Sequence, residues 1–215
     1  MNEVVMSHFS CMDLSQCNDY DSLDEKFKTE LELRADECLD MLAVYCHPTS
    51  VDNANILMSI ENIAKVAKRY NVDYETFFDF VKIHEYAHAY MCEILAGNLK
   101  KVSESCKTAK YIILEESFAT AIALKYLKKS NDYKKLEKFV ENQAPQYRYG
   151  LEILESYEDN LEEIAKLWVN KKKEDIEVYF DFFMNKEKYN YDELVKLNKE
   201  YREMRKKIGK YTDLL

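Results

Sequence analysis

Three glycines and two prolines in 215 residues leave this chain very few places to reverse direction sharply. Sandwiches and nucleotide-binding sheets need turns roughly every 8–12 residues, and such turns lean on glycine for positive φ and on proline for a fixed φ. The scarcity predicts long helices. A chain of this length can bury a core without disulfide staples. No internal repeat or low-complexity linker marks a boundary, so residues 1–215 are expected to form one domain. Residues 1–21 lack periodicity and read as a partly ordered lead-in, from which Val4, Val5, Met6 and Phe9 can dock on the core.

Hydrophobic spacing divides the remainder. Ser22 with Glu25 forms a capping box, and Phe27, Leu31, Ala35, Cys38, Leu39, Leu42 and Ala43 then recur at helical intervals until Pro48 forbids continuation. The segment 51–58, VDNANILM, is the best candidate for a strand, with the opening of the next helix as the alternative. Ser59 can cap a helix over IENIAKVAKRY that stops at Asn71, and Asp73 can cap the next. In that next helix Phe77, Phe80, Val81, Tyr86, Ala87, Met91, Ile94 and Leu95 wrap much of the circumference, which predicts a central buried helix stopped at Gly97. Further helical patterns follow: KYIILEESFATAIALKYLKK, DYKKLEKFVENQ up to Pro145, QYRYGLEILESYEDNLEEIAKLWVNKK, DIEVYFDFFMN and YDELVKLNKEYREMRKKI. The aromatic YFDFFMN reads as a packing face.

Charge and cysteine usage narrow the function classes. A net charge of −9 disfavours a phosphate-backbone partner and anionic membrane surfaces, and the basic C-terminal YREMRKKIGK suits a helix end rather than a nucleic-acid patch. Cys11, Cys17, Cys38, Cys46, Cys92 and Cys106 contain no CxxC pair, so they read as reduced thiols. No basic, then apolar, leader pattern opens the chain and no window reaches the eighteen or so apolar residues of a membrane span, which predicts a cytoplasmic protein.

His84-Glu85-Tyr86-Ala87-His88 is an HExxH motif inside a helical stretch. Residues four apart on a helix differ by only about forty degrees, so both imidazoles leave one face and can meet a single Zn²⁺ at about 2.0–2.1 Å. Glu85, one step round, reaches a water beside the ion instead of the ion itself, and can act there as general base. An open catalytic site needs a third protein ligand. His8 and His47 both lie upstream, so a three-histidine HExxHxxGxxH arrangement is excluded and the third ligand should be a carboxylate. Glu115 and Glu116 form an acidic pair in the middle of an apolar helix, where a facing cation would explain them. For Glu115 the plain alternative is a solvated helix position.

HEYAH followed by LEESFATAIAL resembles the small gluzincin-like metallopeptidases of the zincin superfamily, and ILMSIENIAKVAKRYNVDYETFFDFVKIHEYAHAY resembles the strand and helix that precede the motif helix in such proteins. The likeness covers roughly residues 54–127. It implies that the glutamate directly before the small residue is the ligand, here Glu116 before Ser117, Phe118 and Ala119. Where several gluzincins place an aspartate three residues after that ligand to steady a histidine, this chain has Ala119; Thr120 or Glu115 can take the role.

Hydrolysis also calls for a donor to the developing oxyanion. Gln143 to Gly150 holds a proline break, two tyrosines and an arginine before a glycine; Tyr147 is the first candidate, with Tyr149 and Arg148 as alternates. Together these features predict a mainly α, zincin-like domain with at most a short β strand or hairpin before the HExxH helix. The expected function is zinc-dependent hydrolysis of a peptide bond in a peptide or protein substrate. A silent metal-binding or protein-interaction module on the same scaffold is the alternative, and a helical adaptor without metal a third.

Overall fold

The computed structural model describes residues 19–25, 28–29, 42–46, 55–94, 108–169, 173–184, 191–196, 199–200 and 203. It is mainly helical, with one short antiparallel strand pair ahead of the helices. Strand β1 is Ala43–Cys46 and β2 is Asn55–Met58, in the register Ala43↔Met58, Val44↔Leu57, Tyr45↔Ile56 and Cys46↔Asn55. The helices are α1 Ile60–Tyr70, α2 Tyr74–Ile94, α3 Ala109–Tyr126, α4 Tyr133–Glu141, α5 Pro145–Tyr157, α6 Leu161–Trp168 and α7 Lys173–Met184.

Several stops and starts follow directly from local chemistry. Asn71 ends α1 in the left-handed conformation at φ 53, which asparagine tolerates better than most residues, and its N–H returns to the carbonyls of Ala67 and Lys68. Asp73 then caps α2, its carboxylate accepting the N–H of Thr76 at 3.0 Å. The N–H of Asp73 is itself held at 2.6 Å by the carboxylate of Asp132, so the entry to α2 is tied to the entry to α4. Pro145 opens α5 at a first-turn position, where its missing N–H costs nothing.

Three expectations from the sequence need correction. Residues 43–46 are strand rather than the tail of a helix: Val44 and its neighbours are extended and pair with β2, and the backbone N–H of Ser59 continues the ladder to the carbonyl of Leu42 at 2.8 Å. Most of the expected helix ahead of them, 30–41, lies outside the described residues, as do Val4, Val5, Met6 and Phe9, Pro48, Gly97 and the stretch 97–107. Ser22 does not form the capping box; it ends a 3-10 turn, Tyr20–Ser22, and its hydroxyl donates to the carbonyl of Asp19 at 2.7 Å. The long pattern after Pro145 breaks into α5 and α6 at a 3-10 turn, Glu158–Asn160, where aspartate and asparagine have low helix propensity.

The most enclosed helix is α3 rather than α2. From Ala109 to Leu124 every residue of α3 is buried except Glu116. Helices α2, α5, α6 and α7 all pack on it, α5 and α2 most extensively. On α2, Phe77, Phe80, Val81, Ala87 and Met91 face the core, but Tyr86 points outward and is 57% exposed, since it stands about 100° from each neighbour on a helix that is open on one side. Aromatic rings fill the core in edge-on and tilted contacts. Phe139 of α4 meets Tyr70, Phe77 and Phe80, while Trp168 of α6 meets Tyr111 and Phe118. Tyr179 and Phe183 of the aromatic run on α7 are buried, the packing face expected of that run. Among the described residues no helix is long and apolar enough to cross a membrane.

Candidate metal centre

Helices α2 and α3 cross so that His84, His88 and Glu116 converge. Nε2 of His84 lies 3.1 Å from Oε2 of Glu116 and 3.1 Å from Nε2 of His88, and His88 Nε2 lies 3.4 Å from the same carboxylate oxygen. Three atoms held by one tetrahedral ion at about 2.0–2.1 Å must stand about 3.3–3.4 Å apart. The observed triangle has nearly those edges. Two imidazole nitrogens facing each other at this distance in a buried place would repel as lone pairs unless a proton or a cation lay between them. The donor set and its spacing therefore fit a metal ion.

Both rings are aimed from behind. Nδ1 of His88 is 3.2 Å from Oε1 of Glu115, and Nδ1 of His84 is 3.4 Å from the hydroxyl of Thr120. Glu115 is 5% exposed, so it is no solvated helix position. The two glutamates divide because successive helix residues diverge by about 100°: Glu116 enters the triangle and Glu115 passes behind His88.

Electrostatics mark the same spot. Burial disfavours a charged His88, but the Glu116 and Glu115 carboxylates around it outweigh burial and hold its pKa well above the usual histidine value. Glu116 responds in the opposite sense: against its own burial, the His88 charge and the hydrogen bond from His84 keep its carboxyl well below the usual carboxylate range. Opposite shifts on two touching groups are those of an ion pair between a protonated His88 and an ionised Glu116.

Glu85 follows His84 on α2 and is buried, 6% exposed. Tyr147 lies near the first turn of α5 with its ring centroid 6.0 Å from that of His84, which brings it to the edge of the centre. Tyr149, one of the two alternates, packs instead on the separate apolar cluster of Leu23, Ala109, Ile112 and Ile113. Two features escaped the sequence reading. Gly150 lies where α5 presses on α3: a Cβ there would come within 2.8 Å of the Ser117 carbonyl oxygen, and the Ser117 hydroxyl stands 2.7 Å from the carbonyl of Gln146. A glycine facing small residues on a neighbouring helix was the available signal. The other is Asp19, whose carboxylate accepts the N–H groups of Ala109 at 2.6 Å and Lys110 at 3.2 Å and so caps the helix that carries Glu116. Nothing in the local pattern around residue 19 announces that contact.

No family model, no curated protein and no solved structure matches this chain. Its chemistry has to be argued from the centre itself.

Proposed function

We propose that the chain is a zinc-dependent metallopeptidase that hydrolyses a peptide bond in a peptide or protein substrate, with Glu85 as general base. The observation that carries the reading is the triangle of His84 Nε2, His88 Nε2 and Glu116 Oε2 on an HExxH helix and its neighbour. Two imidazoles and one carboxylate are a usual zinc set, and three protein ligands leave a fourth position for chemistry. Bound there, zinc lowers the pKa of water and polarises a carbonyl group.

The remaining work falls to the chain's own side chains. Glu85, carried on the motif helix beside His84, accepts a proton from the attacking water and returns it to the leaving amine. Its carboxylate is buried, which shields it from bulk water. Tyr147, beside the His84 ring, is the proposed hydroxyl donor to the developing oxyanion. The acidic balance of the chain supports a protein or peptide partner rather than nucleic acid, and cysteines without a paired framework support a cytosolic setting.

A second reading, a metal-binding module that processes nothing, is favoured by how enclosed the centre is: His84 is 9% and His88 8% exposed. One experiment separates the two. Zinc content and cleavage of a mixed peptide library are measured for the unaltered chain and for Glu85→Gln. The proposal expects close to one zinc in both, with cleavage in the variant lower by about a hundredfold or more. Zinc in both without cleavage in either leaves the silent module, and cleavage unchanged in Glu85→Gln removes Glu85 from the mechanism.

A further inference from the structure

Resting on that reading of the centre, we infer that Glu115 and Thr120 are positioning residues that fix which nitrogen of each histidine is offered to the metal. An imidazole can bind through either ring nitrogen, and the proton on the other decides which lone pair is available. In both rings here the nitrogens are sorted the same way. Nε2 faces Glu116, while Nδ1 faces an oxygen on α3 that can accept its proton: the Glu115 carboxylate at 3.2 Å for His88, and the Thr120 hydroxyl at 3.4 Å for His84.

Both acceptors are deeply enclosed, Glu115 at 5% and Thr120 at 1% exposure. A carboxylate in such a place is costly unless it meets a proton donor or a cation, so Glu115 has a job that solvation would otherwise perform. The two acceptors are also unlike. A carboxylate draws the Nδ1–H proton more strongly than a hydroxyl and makes the opposite nitrogen more electron-rich, so His88 is the stronger donor of the pair. Glu115 stands 3.2 Å from His88 and would, with Glu116, help to balance the charge of a divalent cation held there. The residue that the resemblance leads one to expect for this task, three positions after Glu116, is Ala119, which has no polar group to offer.

The test uses the full chain with Zn²⁺ and Co²⁺ as probes. Zinc affinity is measured by competition with a chromophoric chelator, and the visible absorption of the Co²⁺ form reports ligand geometry independently of catalysis. Glu115→Gln is expected to weaken zinc binding about ten- to a hundredfold and to shift the cobalt bands. Thr120→Val is expected to weaken it by a smaller factor, and Thr120→Ser, which restores only the hydroxyl, to recover most of that loss. Zinc affinity of Glu115→Gln within about twofold of the unaltered chain, with the same cobalt spectrum, overturns the role of Glu115. Equal losses in Thr120→Val and Thr120→Ser assign Thr120 to packing alone and overturn its half. Should Glu115→Gln fail to fold, the threonine pair still decides the principle at His84. If the unaltered chain takes up neither ion, the proposed function falls together with this inference; if it binds and the variants bind alike, only this inference falls.

Discussion

Gly150 allows α5 to rest directly on Thr120: a methyl group at that glycine would stand 2.7 Å from the Thr120 Cβ and 2.9 Å from its Cγ2. Those distances are below any real carbon–carbon contact. The side chain that would be displaced is the one facing Nδ1 of His84.

Gly150→Ala is therefore expected to cost more than its own strain. Overpacking of a tight helix crossing destabilises by about 1–3 kcal/mol, although alanine in place of glycine inside a helix would by itself stabilise by up to about 1 kcal/mol. The net expectation is a lower melting temperature together with weaker zinc binding. Denaturant melts and chelator competition on the same preparation check it; a variant more stable than the parent would mean that α5 can move aside freely.

Asp19→Ala tests the long-range cap on α3. Its carboxylate serves two N–H groups at the start of that helix across 90 and 91 residues of sequence, while the hydroxyl of the adjacent Thr108 is buried and does not take its place. Loss of such a cap costs about 1 kcal/mol, with a range of roughly 0.5–2. Asp19→Asn, which keeps an oxygen acceptor, should recover part of it. Equilibrium unfolding of the two variants gives the comparison, and identical stability of parent and Asp19→Ala would show that the cap contributes nothing.

Proton coupling at His88 has a definite sign. Its folded-state pKa lies well above the 6.5 of an ordinary histidine, so the metal-free fold holds this proton more tightly than the unfolded chain does. That contribution is fully present below about pH 6.5 and is lost as pH rises through the raised value. The metal-free protein should thus lose stability in this upward direction. Zinc requires the unprotonated ring, so its apparent affinity should instead rise with pH over the same window. Calorimetric titration near pH 7 in buffers of different ionisation enthalpy should show release of about one proton per zinc, falling away as pH rises through the raised His88 value.

How much of this was legible beforehand depends on the range of the interaction involved. The caps at Asn71 and Asp73, the helical run around HEYAH and the apolar run around Glu116 are signalled within a few residues, and the structure has helices there. Strand β1 was misread because AVYC is too short to display a period, and only its partner at 55–58 makes it extended. The sequence also overrated α2 as the buried centre, since Tyr86 counts as apolar yet faces out. Convergence of Glu116 with the histidines was a matter of resemblance, because spacing alone left it level with Glu115. The contact of Gly150 with Thr120 and the reach of Asp19 to Ala109 belong to the tertiary arrangement; a glycine inside a helical run hints at the first, and the second has no local trace.

Enclosure of α3 on nearly every side has a consequence for which cations can settle at Glu116, the one residue between Ala109 and Leu124 that is not buried. A helix packed by α2, α5, α6 and α7 holds the Glu116 carboxylate 3.1 and 3.4 Å from the two imidazole nitrogens. Calcium, with six to eight oxygen ligands at about 2.3–2.6 Å, would need both more oxygens and a looser cage. If the centre holds an ion as proposed, close packing in the hydrophobic interior would discriminate by ionic radius through residues that never touch it.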